Sequence, residues 1–223
     1  TFIMGSNDWW PKSSPSHKNT LPDFFIDKYE VTNKRYLLFI KSENPLDPKH
    51  WPDHWPKKWV SEMPEEKANH PVFNVDWFAA QSYCAWRGAR LPSEAEWEKA
   101  ARGTDGRVFP WGNEFDKNKA NTPQYGFGGT TPVGKFEQGK SPYGAYDMAG
   151  NVFEWTSDWY KAYPGNKHPD LNEGERFRVV RGGSWFDCTF YKCGISSPTF
   201  NRIFFSPYTK SNTFGFRCAK SVK

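Results

Sequence analysis

The sequence has no apolar run that approaches the roughly 20 residues needed to cross a bilayer. Its first ten residues, TFIMGSNDWW, also lack the basic segment and apolar core of an export signal. We therefore expect a soluble chain without a transmembrane segment, from which any export signal has been removed or in which none ever existed. A lipid anchor on the full-length protein stays open as a means of attachment.

The chain also lacks a large excess of either charge. The 30 Lys and Arg residues and 25 Asp and Glu residues leave a formal net charge of +5. The lysines are scattered and do not form a run or a helical face, so the pattern does not indicate nucleic-acid binding.

Most catalytic motifs are missing. The chain contains no G-x-S-x-G, H-E-x-x-H, P-loop or Rossmann fingerprint. His50 and His54 stand four apart, but the prolines at 48, 52 and 56 oppose the helix that would aim both imidazoles at one metal. We predict a solvated loop there, and neither hydrolytic, nucleotide nor zinc chemistry.

Aromatic residues, in contrast, are abundant: 18% of the chain, including 12 tryptophans. So many rings need burial. Helices are predicted where the apolar spacing follows a capping residue, with starts at Thr32, Asp76 and Ser93, the last forming a capping box with Glu96.

Strand patterns are short and occur near the two ends of the chain. The segments 23–31, 176–185 and 214–220 are predicted strands, and the first and last of these are expected to pair. Between them, 44–59 and 111–143 are rich in Pro, Gly and Asn and are predicted to form long ordered loops.

The segment GNVFEW offers hard oxygen ligands at Asn151 and Glu154. Calcium tolerates irregular loop geometry, so these two residues are a possible calcium site, with helix or turn capping as the alternative role.

An ordered series of motifs resembles the formylglycine-generating enzyme (sulfatase-modifying factor) family. The series is FIMGS, FFIDKYEVTNKRY, HPVFNVDWFAAQSYCAWRGARLPSEAEWEKAARG, FPWGN, SPYGAYDMAGNVFEWTSDWY and RVVRGGSW…GFRC, and it spans nearly the whole chain. The resemblance implies one domain over residues 1–223 with a loop-rich, C-type-lectin-like α+β fold. It also implies a disulfide between Cys84 and Cys218, and hence an extracytoplasmic, oxidising location.

One function that the resemblance implies is copper-dependent oxidation of a sulfatase peptide cysteine. Cys188 and Cys193 resemble the family's C-x4-C copper pair, with Ser184 assisting, and two thiolates suit copper(I). However, Cys188 follows Ser184 by four positions, where the family's cysteine follows by three. The Arg-rich, Asn-Thr-Pro groove segment is also replaced, and the calcium loop after Asn121 lacks a carboxylate.

A second relative is more similar in this segment. The variable proteins of diversity-generating retroelements share the fold and end in RGGSW…GFR, and their residues between those motifs are randomised at adenines. Randomising both adenines of an AAC codon cannot produce Trp, Gln, Glu, Lys or Met. These five types make up about a quarter of the chain, yet between 186 and 214 only Lys192 and Lys210 belong to them.

We therefore interpret the region 181–217 as a sequence-diversified binding segment on a non-catalytic bacterial cell-surface protein. Its partner would be a protein or carbohydrate, and no cofactor is required. Aromatic side chains give large contact area and are enriched at binding hot spots. The residues expected to form an exposed patch are Phe186, Asp187, Thr189, Phe190, Tyr191, Ile203, Phe204, Phe205, Tyr208 and Thr209. The alternative is that these rings pack inward.

Overall fold

The computed structural model describes residues 1–42, 51–168, 170–186 and 196–222. Within them the chain forms eight strands, of which only one is longer than four residues. They are β1 (Phe2–Met4), β2 (His17–Asn19), β3 (Phe24–Ile26), β4 (Phe153–Trp159), β5 (Arg178–Arg181), β6 (Ile203–Phe205), β7 (Phe214–Gly215) and β8 (Ala219–Ser221).

The strands make three small sheets. The largest has the order β6-β5-β4-β7, in which β4 is antiparallel to β5 and parallel to β7. β1 pairs with β2, and β3 pairs antiparallel with β8, with Phe24 opposite Ser221. The predicted pairing between the strand near the start of the chain and the strand near its end is therefore confirmed.

Four helices accompany the sheets in the described residues: α1 (Asn33–Ile40), α2 (Glu65–Ala68), α3 (Trp77–Trp86) and α4 (Glu94–Arg102). All three predicted helix starts are confirmed. The side chains of Thr32, Asp76 and Ser93 each accept a hydrogen bond from the backbone N–H three residues on, and Ser93 and Glu96 form the reciprocal capping box. No helix in the described ranges is both long enough and apolar enough to span a membrane.

Aromatic rings fill the main core between α1, α3 and β4. Tyr36 of α1 stacks on Tyr83 of α3 with ring centroids 5.5 Å apart, and Phe216 contacts both rings edge-on. The buried indole of Trp155 donates to the carbonyl of Val75 at 3.1 Å. Trp155 thus gains apolar burial without losing its polar hydrogen bond.

A disulfide joins Cys84 of α3 to Cys218, just before β8. It spans a sequence separation of 134 residues, and both cysteines are buried. The pairing that the family resemblance implied is confirmed, and it holds the end of the chain against the main core.

Three fully buried arginines organise the C-terminal third of the chain. Arg217 donates from Nε and Nη2 to both carboxylate oxygens of Glu154 on β4, each at 2.6 Å. Arg202 binds Glu94 of α4 in the same bidentate way, at 2.7 and 2.6 Å.

Arg181, the third of these arginines, contacts Glu94 at 3.1 Å and also pairs with Glu98. Because charge-assisted pairs of this kind fix both position and orientation, these contacts set the positions of Arg181, Arg202 and Arg217 against α4 and β4.

The predicted calcium ligands have another role in this network. Both oxygens of Glu154 accept from Arg217, and one also accepts from Trp97 Nε1 at 2.9 Å. Asn151, whose φ is 61°, accepts from Asn121 and Thr131 through Oδ1 and donates to Glu30 at 2.6 Å.

This donor set does not fit calcium coordination by Asn151 and Glu154, because every side-chain oxygen of the two residues already accepts a hydrogen bond. Within the described residues, no three His, Cys, Asp or Glu side chains come together as a metal site. In this structure the side-chain oxygens of Asn151 and Glu154 therefore serve a buried hydrogen-bond network.

Replacing Cys84 and Cys218 together by Ala should lower the free energy of unfolding by about 5 kcal/mol, because the crosslink restricts a loop of 134 residues in the unfolded chain. Denaturant unfolding at neutral pH without reductant, so that the wild-type disulfide stays formed, measures the difference. Equal midpoints for wild type and variant would contradict it.

Glu154→Gln should lower the free energy of unfolding by about 3–5 kcal/mol, because it leaves the buried guanidinium of Arg217 without its counter-charge. Denaturant unfolding should give the same loss in calcium and in chelator. Glu137→Gln removes an exposed carboxylate that pairs with Lys140, and it serves as the control that changes stability little. A loss seen only with calcium would restore the calcium role.

Candidate functional site

A glycine turn delivers the chain from β5 to the C-terminal surface. Gly182 and Gly183 have φ values of 97° and 74°, and a Cβ on Gly182 would lie 3.0 Å from the ring of Trp97. Ser184, which follows, is fully buried, and its Oγ donates to the carbonyl of Phe186 at 2.7 Å and accepts from the N–H of Phe186. The turn leaves Phe186 50% exposed beside the half-buried ring of Trp185.

A second exposed ring lies on the loop 206–213. The backbone of this loop is held by the N-terminal end of α3, because Trp77 N–H donates to the carbonyl of Pro207 at 3.0 Å and Asn74 N–H to that of Ser211 at 2.9 Å. Tyr208 is 73% exposed, and its ring contacts Phe78 at 5.1 Å. Thr209 beside it is half-buried.

The three predicted patch residues at 203–205 form strand β6, which changes their exposure. Ile203 packs against the main core, and Phe204 stacks on Tyr160 with centroids 3.9 Å apart. Phe205 remains 37% exposed, with its ring 4.7 Å from that of Phe214. The expectation that all three face outward is thus corrected: strand pairing turns Ile203 and Phe204 into packing residues.

Residues 196–202 are buried throughout. Their polar groups are used inside the fold, as in the hydrogen bonds from Thr199 Oγ1 to the carbonyl of Arg107 and from Arg202 to Glu94. The exposed part of the predicted variable segment is therefore narrower than 186–214. Several predicted residues lie outside the described part of the chain: Asp187, Cys188, Thr189, Phe190, Tyr191, Cys193 and His50.

Three exposed rings belong to the described part of the predicted binding segment, and we call them the aromatic patch: Phe186, Phe205 and Tyr208. Trp185 Nε1 donates to the carbonyl of Asn212 at 3.2 Å, which links the glycine turn to the 206–213 loop. Phe205 lies just before that loop. The turn that carries Phe186 is thus joined to the loop that carries Tyr208.

A cleft of about 420 Å³ opens beside the patch, between the segments 54–73 and 127–130 and the residues Trp185 and Asn212. Half of its described lining residues are aromatic. The ring of His54 stacks on Phe73 with centroids 3.8 Å apart, and Phe127 projects from a glycine-rich loop with 54% of its surface exposed. These loop residues follow no periodic pattern that would reveal the cleft. The prediction that His54 lies in a solvated loop is corrected, because its ring is half-buried against Phe73.

Both histidines of the cleft favour the neutral form. Burial lowers the pKa of His54 to about 4. Burial also lowers the pKa of His70, and the nearby charge of Lys67 lowers it further. His70 Nδ1 lies 2.9 Å from Thr130 Oγ1, which fixes its ring. The cleft therefore carries no histidine charge at neutral pH.

Comparison with known proteins supports one family. Residues 1–222 match the family described as the sulfatase-modifying factor enzyme 1-like domain. The chain is 34% identical to the "Inactive C-alpha-formylglycine-generating enzyme 2" of Mus musculus, over 99% of this chain and 83% of the relative. It is 38% identical to the "Serine/threonine-protein kinase Pkn1" of Chlamydia trachomatis, over the whole of this chain but only 37% of that protein.

Solved structures agree on the fold. "PvdO from Pseudomonas aeruginosa" superposes with a TM-score of 0.76 at 27% identity, covering 99% of this chain and 91% of the other. "Treponema denticola variable protein 1" has a TM-score of 0.76 at 24% identity, covering 100% and 92%, which shows a shared fold. The chain has the loop-rich, C-type-lectin-like α+β fold and belongs to the sulfatase-modifying factor enzyme 1-like family.

Proposed function

We propose that this chain is a non-catalytic, ligand-binding member of its family that presents the aromatic patch to a protein or carbohydrate at the bacterial cell surface. The exposed rings of Phe186 and Tyr208 are the observation that carries the proposal. Each ring is supported by a second ring, Trp185 or Phe78, and by backbone held in the fold.

Pre-organised aromatic rings suit recognition. An exposed ring on a fixed backbone loses little conformational freedom when a ligand covers it, so most of its apolar contact contributes to affinity. A cluster of exposed rings on a folded domain also generally marks an interaction surface. The patch has both properties.

The composition of the segment adds a second, independent argument. The exposed residues Phe186, Phe205 and Tyr208 are all among the types that randomised AAC codons reach, whereas Arg181 and Arg217, which flank the segment, are buried in ion pairs. Sequence variation that is confined between such flanking residues can change which ligand is bound without changing the fold that supports the segment. Similarity to a protein named as an inactive formylglycine-generating enzyme and to a variable protein supports this non-catalytic role.

The location follows the same reasoning. The Cys84–Cys218 disulfide suits an oxidising compartment, and we propose an extracytoplasmic position, with lipid anchoring of the full-length protein as the means of attachment.

The alternative function is copper-dependent oxidation of a peptide cysteine through Cys188 and Cys193. Its one favourable observation is the C-x4-C spacing. Ser184, the residue expected to assist, is buried and uses its hydroxyl on both backbone groups of Phe186, an arrangement that suits a structural turn.

Phe186→Ala and Tyr208→Ala should each weaken binding at least about tenfold to whichever ligands the wild type selects, because truncated hot-spot rings typically cost 2 kcal/mol or more. Labelled protein is screened against a glycan array and a displayed peptide library, and selected ligands are then titrated.

Phe25→Ala and Tyr143→Ala remove rings of 66% and 56% exposure elsewhere on the molecule and serve as matched controls, which should keep binding. All four variants should keep the wild-type melting temperature. Binding that survives both patch variants, or a wild type that selects no ligand, would refute the patch as the functional site.

A further inference from the structure

The cleft beside the aromatic patch has the composition of a small-ligand site. Its volume of about 420 Å³ falls within the range of roughly 300–1,000 Å³ that such sites occupy. Aromatic side chains contribute half of its described lining residues: His54, Trp59, His70, Phe73, Phe127 and Trp185. Flat rings of this kind offer stacking surfaces for the faces of a ligand ring.

A hydrogen-bond acceptor without a partner lies in the lining. Asn33 is 2% exposed, and its Nδ2 donates to the carbonyl of Lys67 at 2.9 Å, which fixes the amide so that Oδ1 is left over. Among the described residues nothing donates to Oδ1. A buried acceptor left unpaired costs about 1–3 kcal/mol, and a ligand hydroxyl would remove that cost.

The charge of the cleft has one sign. Lys67 is the single charged residue among the described lining residues, and no carboxylate lies among them. Burial lowers the pKa of both histidines, which favours their neutral form. A second cation, Lys135, lies 5.0 Å from the ring centroid of Phe127. The cleft is therefore complementary to an anion.

We propose that the cleft binds an acidic saccharide unit, a sugar ring that carries a carboxylate, whose ring lies against the aromatic walls, whose hydroxyl reaches Asn33 and whose carboxylate faces Lys67. A sugar ring has apolar C–H faces and polar edges, which matches walls of rings with polar groups between them. This inference deepens the proposed function, on which it rests, because Trp185 belongs to the cleft and adjoins Phe186 of the patch.

The test uses matched pairs of probes. Sialyllactose is compared with lactose, and a hyaluronan tetrasaccharide with the neutral chitin tetrasaccharide, by calorimetric titration of the wild-type chain. The acidic member of at least one pair should bind about tenfold more tightly than its neutral counterpart, and added salt should reduce the difference.

Variants then locate the site. Lys67→Met should abolish the preference for the acidic member, whereas Lys58→Met, which removes an exposed lysine outside the cleft, should keep it. Phe127→Ala should weaken both members of a pair, and an unchanged melting temperature shows that each variant is folded.

Equal affinity for acidic and neutral probes, no binding of any probe, or a preference that survives Lys67→Met would overturn the acidic-saccharide site. The acidic-saccharide site would also be overturned if none of the sugars bound and an aromatic peptide bound saturably in the cleft, with that binding lost in Lys67→Met. If patch variants abolish ligand binding but cleft variants do not, the cleft proposal fails and the proposed function stands. If patch variants have no effect either, the proposed function fails as well.

Discussion

Three buried ion pairs decide where the functional surface lies. Arg181, Arg202 and Arg217 occur at the start, within and at the end of the C-terminal segment, and each is paired with a buried glutamate of α4 or β4. Removing either partner would leave a charge in the interior, so these positions cannot vary freely. The chain between them can vary wherever it reaches the surface, and the aromatic patch lies there.

The predictions from sequence that were confirmed rest either on local hydrogen bonding or on the family resemblance. The helix starts at Thr32, Asp76 and Ser93 were predictable because N-capping depends on one side chain and the backbone three residues away. The cysteine pairing came from family resemblance, since spacing alone leaves the partners open. The fold and the family followed from motifs distributed over the whole chain.

The errors also have physical causes. Strand β4 was not predicted. It carries Glu154 facing Arg217 and Trp155 facing the core, so both of its faces are buried there and the polar–apolar alternation that marks a strand is absent. Ile203 and Phe204 looked exposed for a similar reason, because a three-residue edge strand has too few positions to show a period of two. Asn151 and Glu154 resembled metal ligands because buried hydrogen-bond networks use the same oxygen atoms. The cleft depends on contacts between 54–73, 127–130 and 185, which no local pattern records.

The chain is similar both to a formylglycine-generating enzyme of Mus musculus and to a protein named as inactive. In this chain the turn serine is used to shape the turn, and exposed rings follow it. We propose that the segment after the turn recognises a ligand and does not hold a copper centre. Competition titration of the reduced protein with copper(I), beside the Cys188→Ser and Cys193→Ser variants, distinguishes the two roles. A recognition segment should show no tight one-to-one copper site that depends on both cysteines, whereas tight stoichiometric binding that is lost in each variant would establish a copper centre.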